Sequence, residues 1–187
     1  MIKNRQSIRL KNYDYSQSGL YFVTICTQNR ECIFGDIVGA HHDAPVPKMV
    51  LNNVGNMIEK LWNKIPEHFH MAELDIFQIM PNHLHVIIRI VGAGFMPARG
   101  ERATTRVAPT ITLGDIIGAF KSLTTHEYII GVKNNGWKPF DKRLFQRNYY
   151  EHIIRNENDL NKIREYVINN PLMWDRDRNN PKFKKSD

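Results

Sequence analysis

The chain has 187 residues, enough for one domain with a sizeable core and tight for two. Hydrophobic residues make up 42% and aromatics 10%, which excludes a disordered chain. A net charge of +7 favours a polyanionic partner, of which nucleic acid is the commonest. Cys26 and Cys32 fit neither a zinc pattern nor a disulfide framework, and they read as reduced thiols of a cytoplasmic protein. The N-terminal stretch MIKNRQSIRLKNYDYS is polar and has no apolar run of signal type. The most apolar stretch, Leu84 to Met96, is interrupted by Arg89 and is shorter than the ~20 residues a membrane span needs. No membrane partner is expected.

In chain order, residues 19–27 (GLYFVTICT) are β-branched and aromatic and predict a strand. Residues 35–48 (GDIVGAHHDAPVPK) are rich in Gly and Pro and predict a loop, with His41, His42 and Asp43 as solvated loop residues. Val54, Ile58, Leu61 and Trp62 recur at helical spacing within 52–64, and Ile65–Pro66 closes that helix. Residues 70–80 predict a strand with Leu74, Ile76 and Met80 on one face. Pro81–Asn82 makes a tight turn into a second, antiparallel strand, HLHVIIRIV, over 83–91. Residues 92–111 predict a mobile basic loop. Thr112, with Asp115 three residues on, can cap a helix over 113–129. Residues 142–149 predict a short fourth strand. Asn156 caps a last helix running to about Asn169 and ended by Pro171. The order β–α–β–β–α–β plus one helix predicts an α+β fold, a ferredoxin-like split βαβ. Its antiparallel sheet should carry helices on one face and leave the other largely free. One domain is expected over 1–175, with 176–187 as a basic flexible tail.

Strand alternation places His83, His85, Ile87 and Arg89 on one face and Leu84, Val86, Ile88 and Ile90 on the other. The apolar set must meet the helices, so both histidines lie on the open face at a spacing that can chelate one cation. In the last helix, Leu160, Ile163 and Val167 form the apolar stripe. Tyr166 sits beside it, and Asn170, four residues on, stacks with Tyr166 on the same helix face. Asn170 can supply an oxygen ligand beside the two imidazoles. Mixed imidazole and amide-oxygen ligation suits Mg²⁺ or Mn²⁺ better than a closed zinc site. Six other tyrosines compete with Tyr166, Tyr149 and Tyr150 being the nearest, and spacing alone does not choose among them.

The segments IMPNHLHVII (79–88), IIGAFKSLTT (116–125), LFQRNYYEHIIRNENDL (144–160) and IREYVINNP (163–171), in this order, resemble the REP-associated tyrosine transposases of the HUH superfamily. The resemblance implies metal ligation by His83 and His85, Tyr166 as nucleophile, and for Asn170 the role of a polar amide found in related enzymes. It implies metal-dependent cleavage and transfer of single-stranded or hairpin DNA through a 5′-phosphotyrosine, which conserves the bond energy for rejoining. A nucleoid-associated location would follow, and a homodimer, with Tyr166 serving its own or a partner subunit, is left open. GAHHDAPV (39–46) and MPARGERATTRVAPT (96–110) depart from the family pattern and look like loop insertions.

Candidate DNA-contacting cations are Lys121, Arg89, Arg143, Arg147, Arg155 and Arg164, with Lys121 first because it lies in the FKS stretch. Trp137, Phe140 and Phe145 are candidate base-stacking aromatics, although core packing suits at least two of them. Two other readings compete. A non-catalytic single-stranded nucleic-acid-binding module would use aromatics on the free sheet face, where this chain has histidines. A metal hydrolase would use His83 and His85 without a covalent step.

Overall fold

Strand β1 (Gly19–Cys26) follows from the β-branched and aromatic run, and it lies inside a four-stranded sheet. The structure, a computed structural model, describes residues 13–15, 17–39, 46–91 and 111–183. The expected basic loop falls outside these residues except for Ile111, as do His41, His42 and Asp43. After β1 come β2 (Gly35–Val38) and β3 (Lys48–Leu51), which pair antiparallel as a separate two-stranded sheet. This corrects the expectation of a loop over 35–48. The Gly and Pro residues mark the connection, while the short apolar runs on either side of it pair.

Helix α1 (Asn53–Asn63) starts at Asn52, whose side chain accepts from the amides of Val54 at 2.9 Å and Gly55 at 3.0 Å. Val54, Ile58 and Trp62 are buried along one face. A single helical turn, α2 (Ile65–His68), follows and leads to β4 (Ala72–Met80) and β5 (His83–Ile90). Thr112 and Asp115 form a full capping box for α3 (Leu113–Asn134), which runs five residues past the expected end. The chain closes with β6 (Tyr150–Ile154), α4 (Glu157–Asn169) capped by Asn156, and a 3₁₀ segment, Asn170–Arg176, that begins at Pro171's turn.

The sheet order is β4-β5-β1-β6, with every neighbouring pair antiparallel, which is the split βαβ topology. Tyr21, Val23 and Ile25 of β1 and Leu84, Val86, Ile88 and Ile90 of β5 form one core with α1 and α3. The opposite face is not left free. There α4 brings Leu160 and Val167 onto Phe22, Ile87 and Ile154, forming a second, smaller core. An amphipathic helix must bury its apolar stripe, and this face is the one available to it.

Two strand assignments change. Between Leu74 and Phe77 the β4 register shifts, so that Leu74 pairs with Ile88 and Phe77 with Val86. This one-residue bulge turns Ile76 to the second core while Leu74 packs in the first, so the expected common face of Leu74, Ile76 and Met80 is broken. The fourth strand lies at 150–154 rather than 142–149. Within 142–149 only Phe145 makes a bridge, to Thr27, and the carbonyls of Gln146, Arg147 and Asn148 face the Lys121 ammonium instead of a neighbouring strand. Residues 177–180, expected in the flexible tail, include buried Asp177, Asn179 and Asn180. Among the described residues no helix is long and apolar enough to cross a membrane.

The small core that seats α4 has few members, so each matters. Leu160→Ala should lower unfolding free energy by roughly 2–4 kcal/mol, measured by urea denaturation.

Candidate active site

The Pro81–Asn82 turn delivers His83 and His85 to the face that α4 covers. Both are buried, at 0% and 2% exposure. Their Nε2 atoms lie 3.0 Å apart. Asn82 sets the tautomer of His83. Its amide nitrogen already donates to the carbonyls of Arg30 at 2.9 Å and Asn179 at 2.7 Å, so its Oδ1, 2.8 Å away, accepts from His83 Nδ1–H. The Nε2 of His83 is then left as a bare lone pair. His85 Nδ1 lies 2.9 Å from Thr24 Oγ1, and its Nε2 lies 3.4 Å from the Tyr166 hydroxyl. Thr24 Oγ1 can accept from His85 Nδ1–H, which leaves Nε2 bare, or donate to Nδ1, in which case His85 Nε2–H donates to His83 Nε2.

A third group is one that sequence reasoning missed. Asp177 Oδ2 lies 3.5 Å from His83 Nε2 and makes no hydrogen bond. Ligand atoms of His83, His85 and Asp177 all fall within 4.8 Å of one another. Asp177 stood in the stretch read as a loose tail, and no local pattern marks it. It is held there by tertiary contacts: Asn82 to the Asn179 carbonyl, and Arg30 Nη1 to the Arg178 carbonyl at 2.8 Å. Asn170, the expected oxygen ligand, is also buried, at 2% exposure, and its Oδ1 has no hydrogen-bond partner.

Tyr166 is 48% exposed, and its ring meets His85 edge-on at 5.2 Å and Phe22 at 6.0 Å. Its hydroxyl therefore reaches the histidines of its own chain. Of the rivals, Tyr150 lies on the same face at the rim, against Phe22 and Arg178, while Tyr149 packs with the first core.

Burial dominates the electrostatics. It pushes the pKa of His83 well below the ordinary imidazole value, with His85, Arg178 and Arg30 adding to the effect. Burial, with Arg178, brings His85 down to about 3. Burial also raises the Tyr166 phenol, as does Asp177, while Asn170 and Arg178 favour the ionised form. Asp177 itself is raised by burial, against the pull of the Asn179 amide and Arg178. The pair is thus neutral at neutral pH, and the phenol is protonated.

The expected cations separate. Arg164 is tied to Asp75, with Nε 3.0 Å from Oδ1, and Arg89 approaches Glu73 at 3.6 Å. Arg143, Arg147 and Arg155 are exposed. Lys121, expected to meet phosphate, has its ammonium 3.0–3.4 Å from three backbone carbonyls and 5.4 Å from the centre of the Tyr149 ring. Burial lowers its pKa to about 8. Arg30 and Arg178, which the sequence did not single out, are the cations felt at the histidines. Of the candidate stacking aromatics, Phe145 is buried in the first core, and Trp137 and Phe140 pack on Tyr128.

No known family model matches the chain. An uncharacterized protein of Haemophilus influenzae is 40% identical over 186 residues, spanning 95% of this chain and 93% of the relative. A second protein of the same organism, provisionally named a REP-associated tyrosine transposase, is 25% identical over 165 residues, spanning 87% and 77%. The solved structure of a REP-associated tyrosine transposase bound to a REP hairpin matches with a TM-score of 0.56 at 16% identity, over 88% of this chain and 73% of that one, a likeness of fold. The chain therefore belongs to one family with its 40%-identical Haemophilus influenzae relative, and in sequence and fold it resembles the REP-associated tyrosine transposases.

Proposed function

We propose that this chain cuts and rejoins single-stranded DNA beside a hairpin, as a metal-dependent transposase-type nuclease that uses Tyr166 as its nucleophile. The observation that carries the reading is the Tyr166 hydroxyl, 3.4 Å from His85 Nε2, at a buried histidine pair whose Nε2 atoms are 3.0 Å apart. The resemblance to REP-associated tyrosine transposases, one of which was solved bound to a REP hairpin, favours DNA as the substrate.

The donor set suits a divalent cation. Two imidazole Nε2 atoms converge to 3.0 Å, the Asp177 Oδ2 beside them is buried without a hydrogen bond, and so is the amide oxygen of Asn170. With both rings in the Nδ1–H tautomer, a cation would satisfy the two imidazoles and Asp177 together. His83 and His85 would hold it, with oxygen from Asp177 or Asn170, and this mixed set suits Mg²⁺ or Mn²⁺. Bound there, the ion supplies Lewis acidity toward a phosphate oxygen.

The protein's own groups do the rest. Tyr166 Oη attacks phosphorus, the P–O3′ bond breaks, and the 3′ oxygen leaves as a hydroxyl after taking up a proton. The 5′ phosphate stays on the tyrosine, and reversal by a 3′-OH rejoins the strand without ATP. With its Nε2 given to the ion, His85 would have no lone pair left for the phenol proton, which the half-exposed hydroxyl can release to hydroxide from solvent. Arg178 and the Asn170 amide favour the phenolate as it forms.

Three outcomes test this reading. Hairpin DNA with Mn²⁺ should give a covalent protein–DNA adduct on a denaturing gel, and Tyr166→Phe should remove it while leaving the melting temperature nearly unchanged. Cleavage persisting in Tyr166→Phe would rule out the covalent step. Mn²⁺ should raise the melting temperature of the intact chain, because an ion bound only by the folded state stabilises it. His83→Ala should abolish that rise, and comparing Asp177→Asn with Asn170→Ala tells which oxygen binds the ion. Finally, pH acts through the histidines. Unfolded imidazoles take a proton near 6.5, whereas folded His85 resists protonation until about 3. Stability of the metal-free chain should be highest above pH 6.5 and fall as pH drops toward 3, followed by denaturant melts at stepped pH.

A further inference from the structure

Beside the sheet end that carries His83, α3 and the segment 140–147 enclose an open groove of about 590 Å³. Its lining includes Lys121, His126, Lys142, Arg143 and Arg147, and no carboxylate. Arg143 and Arg147 are exposed, and neither is in an ion pair among the described residues. Asp141 belongs to the same segment but does not line the groove. This contrasts with Arg89 and Arg164, whose charges are answered by Glu73 and Asp75. A concave surface of one charge sign concentrates a polyanion.

The groove wall is joined to the strand beneath the histidines. Gln146 donates its backbone amide to the Cys26 carbonyl at 3.0 Å and its side-chain amide to the Thr27 carbonyl at 3.2 Å. Cys26 pairs directly with His83. Lys121 holds the wall from the other side. Its ammonium gathers the carbonyls of Gln146, Arg147 and Asn148, at 3.0, 3.4 and 3.2 Å. Three consecutive carbonyls turned to one side repel one another unless a donor or cation joins them.

We infer that this groove holds the phosphodiester backbone of a DNA single strand, and that Arg143 and Arg147 contact its phosphates. Lys121 is a positioning residue here: it fixes the backbone from which Arg147 projects and makes no phosphate contact itself. The inference rests on the proposed action on DNA.

The test uses the full chain with EDTA, so that no strand is cut. Fluorescence anisotropy follows a labelled hairpin oligodeoxynucleotide with a single-stranded flank across a series of salt concentrations. Each phosphate contact to a single strand contributes about 0.7 to the slope of log affinity against log salt. The double variant Arg143→Gln, Arg147→Gln should reduce that slope by roughly 1.4 and weaken low-salt binding about tenfold or more. Lys121→Met should weaken binding severalfold with the slope unchanged, and Lys121→Arg should restore part of the affinity. Arg89→Gln should change neither quantity. A wild-type slope in the double variant would overturn the groove assignment, and a slope loss of about 0.7 in Lys121→Met would overturn the positioning role. A wild-type chain that binds no DNA would instead sink the functional reading itself.

Discussion

Two imidazole nitrogens stay 3.0 Å apart on a buried sheet face only if both rings are held in place. Much of the surrounding structure serves that need. Thr24 from the next strand and Asn82 from the preceding turn each take one Nδ1, which turns both Nε2 atoms toward the same point. Helix α4 and the segment after it bury the pair, which keeps it neutral. The same burial raises the Tyr166 phenol, so the chemistry depends on what stabilises its anion.

Asn82 is the hub. One small side chain fixes the His83 ring and, through its amide nitrogen, clamps the carbonyls of both Arg30 and Asn179. This brings the C-terminal segment under the site and seats Asp177 beside His83. Arg30 closes the clamp by donating to the Arg178 carbonyl. A turn residue therefore couples three parts of the chain far apart in sequence.

Charge is sorted by location rather than spread evenly. At the edge where β4 meets α4, arginines meet carboxylates and contribute to structure. In the groove by α3, cations face one another without a carboxylate in the lining. Net charge alone does not reveal this sorting, because it counts Arg164 and Arg147 alike.

By itself the sequence determined the elements whose signals are local: β1 and β5 from β-branched runs, α1 from its 3–4 spacing, the capping box of Thr112 and Asp115, and the split βαβ order. It also determined that His83 and His85 share a face, since alternation follows from strand geometry alone. Tertiary structure decided the rest. The β4 bulge, the pairing of β2 with β3, and the shift of the fourth strand to 150–154 depend on neighbours, such as the Lys121 ammonium, that lie far away in sequence. Which tyrosine faces the histidines, and the arrival of Asp177, were decided the same way. A side chain's partner is set by distance in space, and only hydrogen bonds and packing between remote segments fix that distance.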